Sequence, residues 1–115
     1  MHIDIKGKNM DLDEPLKVFV QDKIGTLGHF AEGMGELYAV VEIGKESQHH
    51  HKGPHFYAEA NITVNRGNEP FRATETHEDL RAAIVAVADE LERQIKQYKE
   101  KLTDRERHSD KREES

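Results

Sequence analysis

The sequence predicts an α+β fold of order β-α-β-β-β-α, and three patterns carry that expectation. Short runs alternate apolar and polar residues at period two, as half-buried strands do. Two longer segments repeat apolar residues at three and four, as helices with one buried stripe do. Glycine and proline clusters separate the two kinds of segment.

The first strand is "HIDIK", with Ile3 and Ile5 on one face and His2, Asp4 and Lys6 on the other. Asp13 is placed to cap the first helix, and its first turn accepts Pro15 because the missing amide would have no helical partner there. Leu16, Phe19, Val20, Ile24 and Leu27 form its buried stripe, and Gly25, Gly28, Gly33 and Gly35 weaken the helix and end it near Phe30. "ELYAVVEIGK" turns Leu37, Ala39, Val41 and Ile43 inward, and "HFYAEANITVN" does the same with Phe56, Ala58, Ala60, Ile62 and Val64. The "NRGN" turn leads to "EPFRATE", with Phe71 and Ala73 inward and Pro70 marking a strand start or an edge. The second helix is the strongest pattern: Leu80, Ile84, Val87, Leu91, Ile95, Tyr98 and Leu102 share one stripe, with Thr76 as the expected cap. Each helix has a single stripe to bury, so both belong on one face of a four-stranded sheet, antiparallel around the meander. Tyr38, Tyr57, Asn61, Thr63 and Arg72 are left on the other face. The expected folded domain is 1–103, and 104–115, which has no apolar residue, reads as a disordered charged tail.

Composition removes several classes of function. At 115 residues the chain fits one domain, and without cysteine it has no disulfide, thiolate metal site or thiol nucleophile. The alternating N-terminus is not a signal peptide, and no apolar run approaches the ~20 residues of a membrane span. A soluble cytoplasmic protein is expected. The net charge of −6 does not by itself suggest a nucleic-acid partner; that would need cations gathered on one face and carboxylates on another. No Gly-rich phosphate loop or nucleophile–base set is present, so the expectation is no enzyme, no small-molecule substrate and no cofactor.

Two groups of residues invite a binding role. The hairpin "ESQHHHKGPHF" places His49, His50, His51, Lys52 and His55 between two strands. Alternation sends His49 and His51 to one side, which suits a two- or three-His site for zinc or nickel, but neither a carboxylate nor a rigid support completes the set. A solvated loop and an RNA-facing loop are the other readings, the latter because imidazole both stacks and donates hydrogen bonds. On the second helix, Arg93, Lys96 and Lys99 lie three apart and form a ridge to which phosphates could align. Lysines near a helix C-terminus, with partners such as Glu92 for Lys96, are also what helix electrostatics favours alone.

In order and spacing, "IDIKGKNMDLDEPLKVFVQDKIGTL", "LYAVVEIGKESQHHHKGPHFYAEANITV" and "HEDLRAAIVAVADELERQIKQYKEKL" resemble the ribosome hibernation promoting factors and ribosome-associated inhibitor A, the group also called sigma-54 modulation or S30EA proteins. The most specific parts are the G-K-N-M opening, the H-x-K-G-P-x-F hairpin and E-D-L-x-A-A-I followed by L-x-R-Q-I-K. The resemblance implies a double-stranded RNA-binding-domain-like fold with two near-parallel helices bearing the basic surface. It also implies a short-form ribosome hibernation factor of stress and stationary phase. Such a factor binds the small ribosomal subunit, its rRNA and its proteins, in the mRNA and tRNA channel, inhibits translation and protects idle ribosomes. Off the ribosome it is expected to be a monomer. Carried over by position, the implied rRNA contacts are Lys23, Arg93, Lys99 and Lys101, with Lys8 and Lys52 as additions; Lys96 of the ridge completes the expected rRNA-binding set. Thr26, His29, Gln97 and Arg81 depart from the family pattern, the last standing where tyrosine is usual. The alternatives are an acidic protein-interaction module using the open sheet face with Tyr38 and Tyr57, and a metal-binding protein built on the histidine loop.

Overall fold

The computed structural model describes residues 1–46, 55–64 and 70–114, with side chains described through Thr103. The elements are β1 (His2–Lys8), α1 (Glu14–Gly25), α2 (Leu27–Phe30), β2 (Leu37–Lys45), β3 (Phe56–Val64), β4 (Phe71–His77) and α3 (Leu80–Glu114). The strands form one sheet in the order β1-β2-β3-β4. The meander β2-β3-β4 is antiparallel as expected. β1 pairs parallel to β2 because α1 and α2 carry the chain back across the sheet before it re-enters.

Register explains the core. Ile5, Val41, Ala60 and Ala73 lie in one inward row, and Ile3, Ala39, Ile62 and Phe71 in the next. Alanines at 58, 60 and 73 keep the sheet shallow beneath α3, so fully buried Ile84, Leu91 and Ile95 fit against it. Val20, Ile24 and Leu27 fill the space over the β1 side. Tyr98 meets Phe71 edge-on, with ring centroids 5.6 Å apart, which holds α3 onto β4 late in its course.

The turn after β1 rests on two backbone facts. Asn9 adopts φ 60°, a left-handed conformation that asparagine tolerates. Gly7 lies so close to this turn that a Cβ would be 2.8 Å from the Met10 carbonyl oxygen. Asp13 caps α1 as expected, its carboxylate accepting from the Leu16 amide at 2.9 Å. The first helical stretch divides at Thr26, whose hydroxyl donates to the Asp22 carbonyl at 2.7 Å, and the single turn α2 then reaches Phe30.

One expectation at α3 is corrected. Thr76 is not its cap: it is a β4 residue paired with Tyr57. Asp79 takes that role, with its carboxylate accepting from the Arg81 amide at 3.0 Å while its own amide donates to His77 Nδ1 at 2.9 Å. The strand simply runs two residues further than its apolar pattern, so the helix starts later. The backbone of 104–114 continues α3 to Glu114. Extending a nucleated helix adds one hydrogen bond per residue, and no glycine or proline interrupts α3. His49, His50, His51 and Lys52 of the hairpin and the "NRGN" turn lie outside the described residues.

Candidate nucleic-acid interface

α1 and α3 run side by side in the same direction. Arg81 sits over the Phe19 ring at 5.3 Å, and Lys96 sits over the Phe30 ring at 4.7 Å, so both segments advance together. Between these points a groove of about 200 Å³ is lined by Lys23, Thr26 and Leu27 from one side and Val85, Ala88, Asp89 and Glu92 from the other. This seam is a candidate track for a polyanion, because it has side chains of two helices on one accessible face.

The ridge expected from Arg93, Lys96 and Lys99 is divided by the structure. Lys96 leans toward the seam, over Phe30, and its ammonium pairs with Glu92 at 3.1 Å, the partner foreseen from sequence. Arg93 instead turns back along α3, where its guanidinium grips the Glu90 carboxylate from two nitrogens. Hydrogen bonding by Arg93 and then Gln94 holds Glu90 down to a pKa of about 2, and Arg93 is raised in return. Gln94 closes the chain of contacts: its amide nitrogen donates to the Arg72 carbonyl at 2.8 Å and its oxygen accepts from the Arg72 amide at 3.2 Å. One side chain thus stands in for a missing strand on the β4 edge, a protection that edge strands need.

Lys99 and Lys101 are exposed near the end of the sheet-bound part of α3 and enter no ion pair among the described residues. Lys101 follows Gln94 by two turns and shares its flank. Lys23 lies over Phe19 at 5.6 Å, one turn from it on α1. Lys8 is not gathered with these. It is on the opposite sheet face, where it lines a depression of about 450 Å³ with Lys45, Glu42, Glu46, Glu59 and Tyr57. Through Thr103 the two long helices carry seven Lys/Arg and six Asp/Glu, a near balance in which three cations are paired with carboxylates.

Sequence reading missed Arg81 as a functional candidate, because its approach to Phe19 depends on how α3 lies against α1. On the open sheet face, Tyr38 and Val40 are each 40% exposed, and His2 stacks on Tyr38 at 5.3 Å. Tyr57, expected to face solvent, is half-buried and donates to Glu42 at 3.1 Å.

The model of the family described as sigma 54 modulation protein / S30EA ribosomal protein matches residues 3–103. The chain belongs to this family. Within it, the chain is similar to the ribosome hibernation promoting factor of Klebsiella oxytoca, at 30% identity over 89% of this chain and 97% of that protein. It is also similar to the ribosome hibernation promotion factor of Lactococcus lactis, at 29% identity over 85% of this chain, but there it spans about half, 49%, of the relative's length. The Thermus thermophilus Protein Y N-terminal domain matches with a TM-score of 0.71 and 27% identity, covering 85% of this chain and 99% of that one. A ribosomal subunit interface protein from Coxiella burnetii shares the fold, with a TM-score of 0.68 at 19% identity over 86% of this chain and 98% of that one. The family consists of ribosome hibernation and modulation proteins rather than enzymes. No helix among the described residues is long and apolar enough to cross a membrane.

Proposed function

We propose that the chain is a cytoplasmic ribosome hibernation factor, monomeric off the ribosome, that lodges in the mRNA and tRNA channel of the small subunit, blocks translation and protects idle ribosomes. The observation that carries this reading is the family match across 3–103 together with relatives named as hibernation promoting factors. The mechanism is occupancy: a folded domain excludes mRNA and tRNA by volume and needs no chemistry.

Lys23, Arg93, Lys96, Lys99 and Lys101 contact rRNA phosphates from the helical side, with Lys52 as a further contact. Lys8, on the other face, meets a second wall of the channel. Shape recognition of structured RNA asks for no base code. With some five to eight phosphate contacts, affinity falls with salt by about 0.7–0.9 logarithmic units per contact for each tenfold rise in salt.

The test is sedimentation of the protein with purified small subunits at about 50 mM and about 200 mM salt. Co-migration at the lower salt that is lost at the higher supports the proposal. Free migration at both overturns it.

A further inference from the structure

We propose that Lys23 and Arg81, both held over the Phe19 ring, form a phosphate clamp for rRNA at the start of the α1–α3 seam. This rests on the hibernation reading and adds to it a residue, Arg81, that neither periodicity nor resemblance selected.

The argument concerns how much charge each cation offers. Arg93 and Lys96 are the centre of the sequence-derived ridge, yet each is tied to a carboxylate, Glu90 and Glu92 respectively. Lys17 on α1 is tied to Glu14 at 3.7 Å. A phosphate approaching any of these meets a pair with little net charge and must displace an acidic side chain. Lys23 and Arg81 are held differently. The guanidinium carbon of Arg81 is 5.3 Å and the Lys23 ammonium 5.6 Å from the same ring centroid, both within cation–π range. The face of an aromatic ring fixes a cation through its quadrupole without cancelling its charge. Each head is therefore ordered in advance and still fully cationic, which is what a phosphate site requires.

The Asp79 carboxylate is engaged by the Arg81 backbone amide at 3.0 Å, and Glu92 is engaged by Lys96. Asp89 and Glu92 line the groove beside Lys23, but among the described residues neither comes within ion-pair distance of Lys23 or Arg81. Phe19 is half-buried against the core, so the platform does not drift. An RNA phosphodiester is the anion that the family's partner supplies.

The experiment measures affinity for purified small subunits across a salt series for wild type, Arg81→Gln, Arg81→Lys, Phe19→Leu and Lys17→Gln. Arg81→Gln should weaken binding about tenfold and flatten the salt slope by about one contact, 0.7–0.9. Arg81→Lys should restore most of the slope. Phe19→Leu, which keeps both charges but removes the ring, should weaken binding several-fold. Lys17→Gln makes the same charge change on a cation already paired, and should leave the slope close to wild type. If Arg81→Gln matches Lys17→Gln in both affinity and slope while the wild type binds normally, the clamp is wrong and the hibernation reading stands. If the wild type itself fails to bind, both fall together.

Discussion

Replacing Gly44 by alanine tests whether the sheet is as closely packed as its register requires. Gly44 pairs with Lys8 of β1 on one side and Tyr57 of β3 on the other. A Cβ there would collide with the Lys8 carbonyl oxygen and lie 3.0 Å from Tyr57 Cε1. The tyrosine ring resists swinging aside because its hydroxyl is bonded to Glu42 at 3.1 Å. The carbonyl oxygen belongs to the backbone of β1 and moves only if the last β1–β2 pair separates. Overpacking of this kind costs about 1–3 kcal/mol. For a domain of this size that corresponds to a fall in Tm of roughly 5–15 °C. Gly25→Ala is the control: at the end of α1 its Cβ would meet just the Ile3 Cδ1 at 3.9 Å. That substitution should stabilise by about 0.4–1 kcal/mol, through lower entropy of the unfolded chain. Thermal unfolding followed by circular dichroism reads both. A Gly44→Ala protein melting within about 1 °C of wild type would refute the close approach.

Three further outcomes follow from particular contacts. Leu91→Ala, emptying a fully buried site where α3 meets the alanine-rich sheet, should cost about 2–5 kcal/mol in urea unfolding. Asp79→Ala should lose about 0.5–2 kcal/mol by removing the α3 cap, whereas Thr76→Ala, in an exposed strand position, should cost less; equal losses would contradict the observed helix start. Glu90 has its folded pKa lowered from 4.5 to about 2, so its pairing with Arg93 stabilises fully above pH 4.5 and is lost as pH falls toward 2. The stability difference between wild type and Glu90→Gln should therefore shrink across that window, and a difference that stays constant would rule the pairing out. Because the site is solvated the effect is small and should weaken with salt.

Much of this was legible one segment at a time. The inward rows of β2 and β3 and the α3 stripe from Leu80 to Leu102 were readable because burial of one face imposes a period that short stretches display without reference to the rest. The Glu92–Lys96 pair was readable for the same reason, since four residues is one helical turn. The start of α3 was not, because Thr76 and Asp79 are both good caps and the pairing of β4 with β3 decides between them. The candidate interface was legible in part. Lys23, Lys96, Lys99 and Lys101 occupy the helices as expected, but the commitment of Arg93 to Glu90 and the opposite placement of Lys8 depend on side-chain rotamers and strand register.

The sequence by itself determined the elements, their order, the faces they bury and the family, because each of these is written in local periodicity or in residues at fixed spacing. The tertiary structure alone decided which cations are tied to carboxylates among the described residues, that β1 lies parallel to β2, and that Arg81 meets Phe19. The physical reason is that charge pairing and ring contacts act over a few ångströms between residues distant in sequence, and only docking one helix beside another fixes those distances.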